Sequence, residues 1–199
     1  MKNVFGALRP AVILLAALLS VSLGLSACSS DSTPQGYQPL PQPLALPEFE
    51  LYDQAGETVT AERLQGRWTV LFYGFTYCPD VCPTTLGELN RVAGRLGDQS
   101  PAIVLVSVDP ERDTPQQLKQ YIEYFNPAFQ AWSGEQAQIS NLAKHTHIFF
   151  DKQPLGDSYT MDHSAQLVLV DPQGRYVGFF PPPHKADVLA QGLRQLMGL

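Results

Sequence analysis

Residues 74–86 read GFTYCPDVCPTTL, which sets Cys78 and Cys82 four positions apart, follows each with a proline, and comes directly after an apolar run. Three chemistries use such a pair: a structural disulfide, reversible thiol–disulfide exchange, or metal ligation. The reactive form in the last two is the thiolate. Both cysteines fall where a strand pattern gives way to a helix pattern, and there free backbone N–H groups and the helix dipole favour negative charge. Dithiol redox motifs usually separate the sulfurs by two residues, whereas here Pro79, Asp80 and Val81 intervene. The wider loop favours two sulfurs aimed at one ion. A disulfide stays open, since it needs only Cα atoms within about 7 Å. As a staple the pair is poor, because the loop it closes is too short to restrict the unfolded chain much.

Two thiolates rarely complete a metal site, and the four histidines are the natural third donors. His145 and His147 alternate ahead of Ile148, Phe149 and Phe150. That spacing places both on one side of an extended segment, as half a metal site or as a polar strand entrance. His184 follows Pro181, Pro182 and Pro183 and reads as a loop or cap residue. His163, in YTMDHS, stands at the entry to a strong strand, with Asp162 beside it either orienting a ring nitrogen or serving as an exposed strand-edge acid. The residues alone do not separate these histidines. In VDPERDTP, Asp109 and Pro110 end a strand while Asp113, Thr114 and Pro115 start a helix, and capping accounts for all of it.

These side chains must be held by the elements around them. Residues 68–75 (WTVLFYGF) and 102–108 (AIVLVSV) are continuous apolar runs, the pattern of strands buried on both faces. Leu86, Leu89, Val92, Ala93 and Leu96 recur at helical spacing after Pro83, and a second helix runs from the Asp113–Thr114 cap to about Phe125. A short hairpin turns at residues 53–56, with one helical turn near residues 61–64. A helix is expected over residues 136–144 and a strand from His147 to Asp151. Strands at 164–170 and 175–180 flank the turn DPQG, and an amphipathic helix over 185–197 closes the chain. Parallel crossovers followed by an antiparallel pair make an α/β, thioredoxin-like fold: a central mixed sheet flanked by helices.

The chain begins with Lys2, Arg9 and an apolar stretch, then reaches Leu25-Ser26-Ala27-Cys28. This is the pattern of a signal peptide over residues 1–27. Its Leu-Ser-Ala-Cys ending resembles the lipobox of bacterial lipoproteins, which makes Cys28 the expected lipid anchor of an exported, membrane-attached protein facing the periplasm or cell exterior. Prolines at 34, 39, 41, 43 and 47 mark residues 28–47 as an extended tether, leaving 48–199 as the domain. Loss of Lys2 and Arg9 with the leader takes the formal charge from −6 to −8. An acidic surface excludes nucleic acid as a partner. With Cys28 set aside, two cysteines are left in an oxidising compartment, where such thiols usually pair.

GFTYCPDVCPTTL, VSVDPERDTP and YTMDHSAQLVLVDPQG, in that order, resemble the Sco (SenC) family of copper-binding, membrane-tethered thioredoxin-fold proteins over residue 44 to the C-terminus. The resemblance implies that Cys78, Cys82 and His163 bind copper, as Cu(I) or Cu(II), for assembly of the binuclear copper centre of cytochrome c oxidase. The implied partners are the copper-bearing subunit of the oxidase or other copper proteins. The implied role is that of a metallochaperone more than an enzyme; thiol–disulfide reduction of the client by a Cys78–Cys82 disulfide couple is the alternative. A peroxidase or redox-sensor role, known on the same fold, has no residue that favours it.

Overall fold

Val70, Leu71, Phe72 and Tyr73 are buried on both faces of a strand, Thr69–Gly74, which no solvent-facing pattern interrupts. The computed structural model describes residues 33–199, and the expected leader and Cys28 lie outside them. In chain order the strands are β1 (Gln38–Ala45), β2 (Leu51–Asp53), β3 (Thr58–Val59), β4 (Thr69–Gly74), β5 (Ala102–Ser107), β6 (Gln130–Ser133), β7 (Phe150–Leu155), β8 (Ser158–His163), β9 (Leu167–Val170) and β10 (Arg175–Phe180). The helices are α1 (Val81–Leu96), α2 (Pro115–Phe125), α3 (Gln136–His145) and α4 (Ala186–Met197). Eight strands form one sheet in the order β1-β10-β9-β4-β5-β6-β2-β3, and β7 and β8 form a separate pair.

The parallel strands β4, β5 and β6 are joined by α1 and α2 as crossovers, while β9, β10 and β1 add antiparallel strands beside β4. This mixed sheet is the thioredoxin-like arrangement the element order predicts. In the β4–β5 register Gly74 lies opposite Ser107. The cysteine stretch and the VDPERDTP loop therefore leave the sheet side by side at the carboxyl ends of parallel strands, the usual place for a site in an α/β fold. Helix α1 buries Cys82, Thr85, Leu86, Leu89, Val92 and Leu96. Their three- and four-residue spacing makes one core-facing stripe, and Cys82 is its first member. Helix α2 opens on a capping box between Thr114 and Gln117, with Pro115 at its first position.

Three expectations change. The proline-rich stretch is not wholly a tether: residues 38–45 pair with β10, and the folded unit starts at Thr33 instead of residue 48. Proline is tolerated there because β1 is an edge strand, with an irregular register between Pro39 and Leu44. Tyr37 is buried against Phe180 and reinforces the attachment. No strand starts at His147; β7 begins at Phe150 and extends to Leu155, because His147 adopts a left-handed turn with φ 58° just after α3. The four-residue β6 and the mostly polar β8 were not expected as strands. Neighbours supply what their own sequences lack: β6 pairs with β5 and β2, and β8 with β7.

Candidate metal centre

Cys78 lies in the turn between β4 and α1, where its amide donates to the Phe75 carbonyl at 3.3 Å. The Asp80 side chain makes no capping bond to α1. In its place the Cys78 sulfur accepts the Cys82 amide N–H at 3.3 Å, so a first-turn donor of the helix ends on a thiolate. Cys78 is half-buried and Cys82 fully buried. Hydrogen bonding from the Cys82 thiol lowers the Cys78 pKa to about 4, with His163 and two backbone N–H groups adding to the effect against a penalty from burial. The Cys82 pKa moves up, first because its proton is held between the two sulfurs and then because it is buried. The pair thus shares one proton, carried by Cys82. The two thiols are not joined in a disulfide.

Room for the second sulfur comes from Gly74. A Cβ at that position would stand 3.0 Å from Cys82 Sγ and 3.2 Å from side-chain atoms of both Leu105 and Phe72.

The third donor arrives from β8. His163 Nδ1 lies 3.1 Å from the Ser164 carbonyl, a contact that orients the ring so that Nε2 faces the cysteine sulfurs. Nε2 is 3.5 Å from Cys82 Sγ. The ring edges approach Phe75 (centroids 6.0 Å apart, 90°) and Phe72 (6.2 Å, 69°). Asp162 is exposed, and a backbone carbonyl, not its carboxylate, holds the ring nitrogen of His163.

The ligand atoms of Cys78, Cys82 and His163 all lie within 4.8 Å of one another. Metal–nitrogen and metal–sulfur bonds of about 2.0 and 2.3 Å would set donors in a trigonal plane ~3.7–4.0 Å apart, so one ion fits with small movements. Two soft thiolates and a borderline imidazole make a donor set that suits copper. The other histidines stand elsewhere. His145 is in the last turn of α3 with Nδ1 on the Asn141 carbonyl at 2.9 Å. His147 meets the Tyr176 ring edge, so these two do not share one face of an extended segment. His184 Nε2 donates to the Ala165 carbonyl at 2.7 Å, as a loop residue would.

VDPERDTP does more than cap. Thr114 is the cap residue of α2, whereas Asp113 is fully buried beneath the cysteine stretch. Its carboxylate accepts from Thr76 N at 3.1 Å, Thr76 Oγ1 at 2.6 Å and Ser107 Oγ at 2.6 Å. Burial pushes its pKa up despite these donors. Two hydroxyls at the ends of neighbouring parallel strands were the available sequence signal, but only the β4–β5 register brings them to one carboxylate.

A thioredoxin-like sheet with two cysteines at a helix start and a histidine from a distant hairpin defines a class: thioredoxin-fold proteins with a soft-metal centre. The SCO1/SenC family model matches residues 38–198, and the chain belongs to that family. A Stutzerimonas stutzeri protein provisionally named as copper-binding is 40% identical over 162 residues, covering 79% of this chain and 79% of that protein. Bradyrhizobium japonicum ScoI with copper bound is 38% identical with a TM-score of 0.70, covering 76% of this chain and 98% of that one. Arabidopsis thaliana ScoI with copper bound is 32% identical with a TM-score of 0.72, over 77% and 99%.

Proposed function

We propose that the protein is a membrane-anchored copper chaperone that binds one copper ion through Cys78, Cys82 and His163 and supplies it to the binuclear centre of cytochrome c oxidase. The convergence of the three donors within 4.8 Å carries this reading. Thiolates hold Cu(I) and the neutral imidazole also suits Cu(II), so the same three residues accommodate both states. Copper-bound relatives support the choice of metal, and the oxidase as client follows from what the family resemblance implies.

Attachment rests on Cys28 as the lipidated residue. Among the described residues no helix is long and apolar enough to cross a membrane. Pro34 and Tyr37 are already buried in the domain.

A second reading is favoured by the low Cys78 pKa. The Cys78 thiolate would attack a client disulfide to form a mixed disulfide, and Cys82 would then displace the client. Two electrons pass to the client, which leaves as a dithiol, and a Cys78–Cys82 disulfide remains. Copper loading and this cycle compete for the same sulfurs. Complementation of a deletion strain separates them: His163→Ala should fail to restore the oxidase copper signal if copper is delivered, and should restore it if the dithiol alone acts.

A further inference from the structure

The hairpin that carries His163 pairs with itself and with no other described strand, so the large sheet holds it through the short link from His163 to β9. Side chains complete its placement, and they converge on Arg112. Its Nε donates to Asp109 Oδ2 at 2.5 Å, and its Nη1 donates to the Tyr159 carbonyl in β8 at 3.0 Å. The guanidinium lies 3.7 Å from the Tyr159 ring centroid, 4.7 Å from that of Tyr77 and 5.9 Å from that of Phe75. Tyr159 returns its hydroxyl to the second Asp109 oxygen at 2.8 Å. Lys152 of β7 lies over the same ring and pairs with Glu111 from the Arg112 loop.

One side chain thus touches the segments bearing Cys78 and His163. Phe75 and Tyr77 precede Cys78, Tyr159 precedes His163 on its strand, and Phe75 also meets the His163 ring edge-on. The Arg112 side chain is 18% exposed and its Asp109 partner 1%, so this is an enclosed pair and not a solvated surface bridge. A planar, always-charged group with several fixed donors can stack and hydrogen-bond at once, which an ammonium cannot.

We infer that Arg112 is a positioning residue for the metal centre, holding the β7–β8 hairpin against the cysteine loop so that His163 Nε2 reaches the ion. The inference rests on the copper reading above. The test is a double-mutant cycle in copper affinity on the reduced protein, using wild type, Arg112→Lys, His163→Ala and the combination, since coupled residues give non-additive effects. Arg112→Lys should weaken copper by about 10–100-fold, the usual cost of losing a group that orients a ligand. In the His163→Ala background the same change should cost almost nothing, which a general structural role would not produce. In the metal-free protein, Arg112→Lys should also remove the nuclear Overhauser contact between the His163 and Phe75 rings. If Arg112→Lys does not fold, Tyr159→Leu removes the stacking face and should give the same pattern. Unchanged affinity, or an equal loss with and without His163, overturns the inference. Full binding by His163→Ala alone removes the copper role of His163, and the inference with it.

Discussion

His163 Nε2 stands 3.5 Å from Cys82 Sγ although 81 residues separate them. Cys82 is placed by the buried face of α1 and by the space Gly74 leaves. His163 is placed by a hairpin outside the main sheet. The centre is therefore a junction between a rigid part and a docked part, and the two parts should respond differently to substitution.

Between the two sulfurs, Cys78 should be the nucleophile. Its pKa is lowered to about 4 while that of Cys82 is raised, so the Cys78 thiolate persists as the pH falls from 9 and is lost only on passing through about 4. Iodoacetamide at pH 6, read by mass spectrometry on the metal-free protein, should label Cys78 first. Cys82→Ala removes the donor that stabilises the thiolate and should slow labelling of Cys78 at that pH. Equal labelling of both cysteines would contradict the shared-proton arrangement.

Gly74→Ala puts a methyl group 3.0 Å from the Cys82 sulfur in a fully buried position. Overpacking of this kind costs about 1–3 kcal/mol. Urea unfolding should register that loss, and copper affinity should fall because the sulfur must shift. A variant with unaltered stability and affinity would show that Gly74 does not shape the site.

Asp113→Ala strands three donors, two from Thr76 and one from Ser107. Buried unsatisfied groups cost about 1–3 kcal/mol each, so several kcal/mol is the expected loss by chemical denaturation. Asp113→Asn keeps one acceptor oxygen and should lose less. If both variants unfold as wild type does, the carboxylate is not the anchor of the cysteine loop.

Much of this architecture was legible because it is written locally. The runs at β4 and β5, the helical spacing of Leu86, Leu89 and Val92, and the Thr114–Pro115 helix start each announce their own element. Cys78 and Cys82 were legible as candidates for the same reason. The choice of His163 over His145 and His147 needed the family resemblance, since no local pattern says which strand end comes near the cysteines. Edge-strand prolines made β1 look like a linker, and its pairing with β10 depends on residues 130 or more positions later. Asp113 looked like capping and Arg112 drew no reading of its own, because their partners, Thr76 and Tyr159, are distant in sequence.

The attachment of β1 is open to direct test at Gly178. A Cβ there would overlap the Gln38 carbonyl oxygen and the Tyr37 hydroxyl. Gly178→Ala should release β1, raising hydrogen exchange in β1 and β10 while β4 and β5 stay protected. Unchanged exchange at residues 38–45 would return that stretch to the tether.

The most direct test of the metal centre is a copper titration of the purified, reduced protein, with metal content and absorbance read together. Wild type should saturate at one copper per chain. His163→Ala should bind more weakly with a changed Cu(II) spectrum, and the Cys78→Ser, Cys82→Ser double variant should not bind stoichiometrically. Undiminished one-to-one binding by the double variant would contradict the account.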